Sequence, residues 1–281
     1  MARTAEAVGF DSLWLGDHLL YRFADGSTRG PWEAWTTLAG LAEATDSIAL
    51  GPLVAATAFH APAMLAKLAS TVDEISGGRL ILGLGAGWNE TEFRAFGFPF
   101  DQRVARFEEA FTIVRTLLRE GRIDFDGRYF QARGCELRPT PHRADGPPLL
   151  VGSIGERMLR ITLPHVDAWN AWFVDTGNAP AGVPALRDRV DDAAREVGRD
   201  PAAIERTVAV LVRMPGGTGR QMGDVTASRS IRPLAGSSET IADGLRGYAT
   251  EGIGHIQLVV DPITEASIEG LGGVLRLLDD G

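Results

Sequence analysis

The chain predicts an α/β fold built on a parallel sheet, and three observations carry that reading. Short apolar runs alternate with segments of helical periodicity along the whole length, at the spacing of βα units. One run, residues 79–84, is apolar without alternation after Arg79, as a strand buried on both faces is. It breaks directly into Gly85-Ala86-Gly87-Trp88, and a buried parallel strand with a glycine-lined mouth is where α/β proteins place chemistry.

The elements follow in order. Residues 3–8 read as the last turns of a helix stopped by Gly9, and residues 10–15 as a strand ending at Gly16-Asp17-His18. A tryptophan-rich loop through Trp32 and Trp35 leads to a helix over 36–45, with Leu38, Leu41 and Ala42 at helical spacing. Residues 48–54 are the next strand. Pro62 stands where a first turn tolerates it, so 63–75 is helical. After the 79–84 strand, residues 103–120 form the clearest amphipathic helix, with Phe107, Phe111, Val114 and Leu118 on one face. Asp126-Gly127 between aromatics signals a hairpin. Strands at 147–153, 167–170, 207–212 and 255–260 alternate with helices at 157–163, 183–197, 237–248 and 263–278. A Gly-rich irregular segment, about 213–236, reads as a mobile excursion from the core. That makes seven strands of the βα kind, one short of a closed eight-stranded barrel. The first strand is the one expected to be missing, and residues 1–281 are expected to form a single domain.

Composition narrows the function classes. The hydrophobic share of 44% and charged share of 23% suit a globular protein with a sizeable core. A formal net charge of -9 with no basic cluster argues against a nucleic-acid surface. Cys135 is the single cysteine, which rules out a disulfide framework or a cysteine-based metal site. No apolar run approaches the roughly 18–20 residues of a spanning helix. The N-terminus has no apolar signal core either. A cytoplasmic location away from membranes is the expectation.

Several residues are candidates for chemistry. Asp17 and His18 end a strand, where barrel enzymes keep catalytic groups; the alternative is a turn-capping aspartate beside a solvated histidine. Gly51-Pro52-Leu53-Val54 reads either as a plain bulge or as one that pushes backbone against a flat ring. Gly83, Gly85 and Gly87 miss the G-x-G-x-x-G spacing by one residue, which disfavours a nicotinamide Rossmann site. Gly152-Ser153-Ile154-Gly155 joins a strand to a helix and is either an anion site or an ordinary cap by Ser153. The five histidines lie in no metal-binding array, so no metal is expected. There is no G-x-S-x-G elbow. Trp14 reads as core, whereas Trp88 and Trp169 at strand ends read as walls of an apolar pocket.

Taken together, these motifs resemble the luciferase-like monooxygenase superfamily. The resemblance rests on residues 9–18 (GFDSLWLGDH), 32–38 (WEAWTTL), 60–67 (HAPAMLAK), 76–88 (SGGRLILGLGAGW), 152–160 (GSIGERMLR) and 167–170 (DAWN). It is strongest toward the F420-dependent oxidoreductases. It implies a TIM (β/α)8-type barrel with a flavin-like ring at the carboxyl ends of the strands. Asp17 and His18 would lie at the ring's reactive edge. Leu53 and Val54 would form the bulge behind it, often made through a non-prolyl cis bond. Gly85, Ala86, Gly87, Trp88, Gly152, Ser153 and Gly155 would meet the rest of the cofactor. Trp88 stands where some F420 dehydrogenases carry a glutamate, and nearby Glu90 and Glu92 are given no role. The implied activity is hydride transfer between coenzyme F420 and a small organic substrate. The alternatives are an FMN-dependent monooxygenase using reduced flavin and O2, and a catalytically inactive truncated barrel. A homodimer, and a reductase supplying reduced cofactor, are the partners the resemblance implies.

Overall fold

The computed structural model describes residues 1–219 and 231–279, which fall into two compact units: Met1–Leu13 with Gly152–Gly281, and Trp14–Val151. In chain order, helix α1 (Ala2–Val8) leads into strand β1 (Ser12–Leu15). The tryptophan-rich loop holds a small antiparallel pair, β2 (Tyr21–Arg22) and β3 (Thr28–Arg29), that the sequence reading does not anticipate. Next come α2 (Ala34–Ala44), β4 (Ala49–Pro52), β5 (Ala55–Ala56), α3 (Pro62–Ile75) and β6 (Leu82–Gly85). Helix α4 (Glu90–Phe96) and the long α5 (Arg103–Glu120) follow, then the hairpin of β7 (Arg122–Asp126) and β8 (Gln131–Glu136), and β9 (Leu149–Val151).

The remaining elements are α6 (Glu156–Thr162), β10 (Ala168–Ala171), α7 (Val183–Glu196), β11 (Glu205–Arg213), α8 (Ser238–Thr250), β12 (His255–Asp261) and α9 (Glu265–Asp279). The irregular segment expected at about 213–236 falls in part outside the described residues. In its described flanks, Leu234 bridges Val212 in parallel.

In the unit Trp14–Val151, β5, β6 and β9 pair in parallel, with Ala55 opposite Leu84 and Leu82 opposite Leu149. A bridge from Leu50 to Leu80 brings β4 alongside the same strands. The 79–84 strand therefore starts later than its apolar run suggests. Arg79 and Ile81 exchange hydrogen bonds with Leu50 of β4, and only from Leu82 does the strand enter the regular ladder. Buried on every residue, β6 admits its neighbours closely. A Cβ at Gly83 would sit 2.3 Å from the Pro52 carbonyl oxygen, so only glycine fits there.

Arg79 ties the incoming loops to this sheet. Its guanidinium donates to the carbonyls of Ala42, Thr45 and Ile48 and to the Thr45 hydroxyl, while Nε donates to the Ser76 carbonyl. The amphipathic reading of α5 holds: Phe107, Phe111, Val114 and Leu118 are buried.

The other unit is built on β10, β11 and β12, again parallel, with Ala168 opposite Glu205 and Thr207 opposite His255. Trp169, expected to wall a pocket, is only 1% exposed and donates its indole N–H to the Ser153 carbonyl at 2.7 Å, which makes it core. Its place in the middle of a strand buried throughout explains the difference. Among the described residues no helix is long and apolar enough to cross a membrane.

Candidate active site

Two carboxylate–imidazole pairs meet at the adjacent residues Asp17 and His18, just past the end of β1. The backbone there is tied to the segment after β4 by the Leu53 N–H, which donates to the Leu15 carbonyl at 2.7 Å. Asp17 is buried. Its Oδ2 accepts from the Ala56 N–H at 3.0 Å and lies 2.9 Å from Nε2 of His60. The His60 ring stands edge-on to Trp35, with centroids 6.3 Å apart. Trp35 lies in the first turn of α2, whose N-cap is Glu33. The Glu33 carboxylate accepts from the N–H groups of Trp35 (2.8 Å) and Thr36 (2.6 Å). Burial works to raise the Glu33 pKa, but hydrogen bonds from Thr36 and Trp35 and the charge of His60 outweigh it and hold the group below its ordinary value.

His18 turns the other way. Its Nδ1 is 2.8 Å from Oε1 of Glu92, a residue 0% exposed. The second oxygen of Glu92 accepts from the Leu19 N–H at 2.8 Å, and the Asn89 amide donates both to Glu92 Oε1 and, at 3.2 Å, to the Leu20 carbonyl. The imidazole is flanked by Tyr21 (centroids 4.9 Å) and by Trp88, edge-on at 5.5 Å. Nε2 of His18 has no hydrogen-bond partner among the described residues. Trp88 is 43% exposed, so its ring borders the mouth and covers little core.

Sequence reasoning gives Glu92 and Asn89 no role and meets His60 only within the 60–67 motif and among the histidines. Asn89-x-x-Glu92 has the spacing of a helix capping box, and α4 does start where that spacing puts it. Yet Asn89 makes no side-chain cap bond, and both side chains serve His18 and the chain after it. Phe93 explains why. Fully buried, it packs against Phe59 (5.0 Å) and Phe100 (5.1 Å), which pins α4 with Glu92 directed inward. The N-x-x-E spacing was the available signal, and on its own it describes a helix end.

The glycine mouth has an internal reason for its composition. Gly87 adopts φ 75°, and a Cβ on it would lie 2.7 Å from the Phe93 ring. Its carbonyl accepts from Arg103, whose guanidinium lies over the Phe100 ring at 4.1 Å. Gly85, the last residue of β6, is buried, and its carbonyl accepts from the Thr57 hydroxyl at 3.3 Å. Ala86 stands between the two. The Leu53–Val54 peptide bond is cis. In the other unit, Gly155 is the N-cap residue of α6, and Ser153 Oγ accepts from the Gly155 N–H at 3.2 Å; Ser153 itself is therefore not the cap. Gly152 directly follows β9 in sequence.

Comparison with known proteins places the chain in a known class of enzyme. Residues 1–214 match the family model described as luciferase-like monooxygenase, and the chain belongs to that family of oxidoreductases. The pyrimidine monooxygenase RutA of Caulobacter sp. (strain K31) is 30% identical over 274 residues, 88% of this chain and 75% of the relative. The phthiodiolone/phenolphthiodiolone dimycocerosates ketoreductase of Mycobacterium sp. (strain JLS) is 30% identical over 240 residues, 79% of this chain; the match spans 62% of the ketoreductase, under two thirds of its length.

Solved structures share the fold. An F420-dependent secondary alcohol dehydrogenase, in complex with an F420-acetone adduct, matches with a TM-score of 0.82 at 20% identity, covering 99% of this chain and 93% of that one. A type II Baeyer-Villiger monooxygenase from Pseudomonas putida, in complex with FMN, matches at 0.75 and 18% identity, covering 97% and 89%. The fold is accordingly α/β of the TIM-barrel type, as the sequence predicts.

Proposed function

We propose that this enzyme is an F420-dependent oxidoreductase that moves a hydride between the deazaflavin and a small organic substrate. The observation that carries the reading is His18: one ring nitrogen is committed to buried Glu92, and the other is unpartnered beside the half-exposed ring of Trp88. A site that hands a proton to or from a substrate during hydride transfer needs such a group. The fold shared with an F420-dependent alcohol dehydrogenase and the identity to a ketoreductase support the choice of cofactor and reaction.

The residues near His18 are those that would hold a flat ring. Leu53 and Val54 follow β4 at the strand end where Leu15 leads into Asp17 and His18, and Trp88 offers an aromatic edge. These, with Gly85, Ala86 and Gly87, would hold the cofactor, whose contribution when bound is a carbon that gives or takes a hydride without readily activating oxygen. Asp17 holds His60 and the Ala56 backbone in place. His18 holds or releases the substrate proton at Nε2.

Trp88 in place of a glutamate, together with the identity to a pyrimidine monooxygenase, favours a second reading: an FMN-dependent monooxygenase supplied by a reductase. Titration of the purified protein with F420 and with FMN, followed by absorbance and by quenching of tryptophan fluorescence, separates the two. Saturable binding of F420 at concentrations where FMN does not bind is expected. Tight FMN binding with none of F420 would exclude the first reading.

A further inference from the structure

Glu92 lies outside every motif that points to chemistry, yet it is the most deeply buried group in contact with His18, and its bonds form a chain with a fixed direction. The Leu20 carbonyl can only accept, so the Asn89 group facing it is the NH2. The other N–H of that NH2 points at Glu92 Oε1, and the Leu19 backbone N–H, which can only donate, points at Oε2. Both oxygens of Glu92 are therefore set as acceptors. His18 Nδ1, 2.8 Å from Oε1, must supply the hydrogen. A neutral imidazole carries one N–H, so placing it on Nδ1 leaves a lone pair on Nε2, the nitrogen without a partner among the described residues.

We propose that Glu92, aligned by Asn89 and the Leu19 N–H, is the positioning residue that holds His18 as the Nδ1–H tautomer and makes Nε2 a proton acceptor. The inference deepens the reading of His18 given above and rests on it for its catalytic meaning. It adds a substrate feature: the group delivered to Nε2 carries a proton to give up, as a hydroxyl does, when the reaction runs toward oxidation. In the reverse direction the protonated ring returns that proton. Glu92 touches no substrate; it acts through His18 alone. Asp17, bonded to Ala56 and His60, plays no part in setting this tautomer.

The test is made on the full chain, free of cofactor, labelled with 15N at histidine. Two-bond 1H–15N correlation reports which ring nitrogen bears the proton, and the His18 signals are assigned by their loss in His18→Asn. The expected wild-type pattern is a protonated Nδ1, with its proton shifted far downfield by the charge-assisted bond, and an unprotonated Nε2. In Glu92→Leu the proton moves to Nε2 in a substantial fraction of molecules. Should that variant not fold, Glu92→Gln decides the matter: loss of the charged acceptor moves the Nδ1–H resonance upfield, or mixes the tautomers. An Nε2–H pattern in the wild type overturns the proposal, as does an unchanged His18 pattern in a folded Glu92 variant.

F420 reduction with 2-propanol as the probe alcohol separates this inference from the reading beneath it. If the tautomer pattern is as expected but His18→Ala leaves turnover unchanged, the tautomer assignment stands and the catalytic role of His18 falls. If His18→Ala abolishes turnover while the tautomer is indifferent to Glu92, the reverse holds. Where both hold, Glu92→Leu lowers turnover by about 10²-fold, the contribution of one well-set acid–base group, with F420 affinity kept.

Discussion

His18 shows how much one residue depends on what is brought to it. Replacing it with alanine is expected to cut turnover by about 10²–10⁴-fold while leaving cofactor affinity mostly intact, measured by steady-state rates alongside binding titration. A loss confined to affinity would move His18 from the chemistry to the binding surface. Glu33 carries a prediction of a different kind. Its carboxyl binds a proton less readily in the folded protein than in the unfolded chain. Its cap therefore contributes stability above the ordinary glutamate range, and the contribution fades as pH falls through the depressed folded value. Glu33→Ala should lower stability at pH 7 by about 1 kcal/mol, the usual worth of an N-cap. That difference from the wild type should shrink toward pH 3 in urea melts. At this scale the positions of Asp17 and His18, just past a strand, were legible in the local sequence pattern. Glu92 and His60 were not, because their partners are 74 and 43 residues away in the chain.

Among the elements, β6 and the segments packed on it should respond sharply to change, being buried and closely approached. Gly83→Ala places a methyl group 2.3 Å from the Pro52 carbonyl oxygen in a strand buried throughout. The backbone must shift to admit it, so a loss above roughly 3 kcal/mol, or failure to fold, is expected in equilibrium unfolding. Phe93→Ala empties the centre of the aromatic cluster that pins α4 and should cost about 3–5 kcal/mol. Because Glu92 precedes Phe93 on α4, that variant should also disturb His18, visible as a change in its ring signals. Helix α4 itself was not legible. Seven residues with two acidic groups in the first turn give too short a pattern to mark a helix, and the residue that anchors it, Phe93, acts through contacts distant in sequence. Helix α5 was legible because eighteen residues repeat one buried face. The antiparallel pair in the tryptophan-rich loop was missed because two-residue strands have no period to read.

For the molecule as a whole, cofactor binding should appear as stability. A ligand bound only by the folded protein raises its stability by RT ln(1 + [L]/Kd), about 2.7 kcal/mol at a hundredfold excess over Kd. F420 should therefore raise the melting temperature by several degrees, and FMN at the same concentration should not. A larger rise with FMN would favour the monooxygenase reading. By itself the sequence determined the class: alternating strands and helices, a glycine mouth after a buried strand, and the Asp17-His18 motif, all of which reach no further than neighbouring residues. Only the tertiary structure decided how the site is wired. It turned Asp17 toward His60, buried Glu92 against His18, moved Trp169 into the core and left Trp88 at the mouth. The physical reason is that periodicity reports which face of an element is buried, whereas a hydrogen bond between side chains depends on which elements the fold packs together.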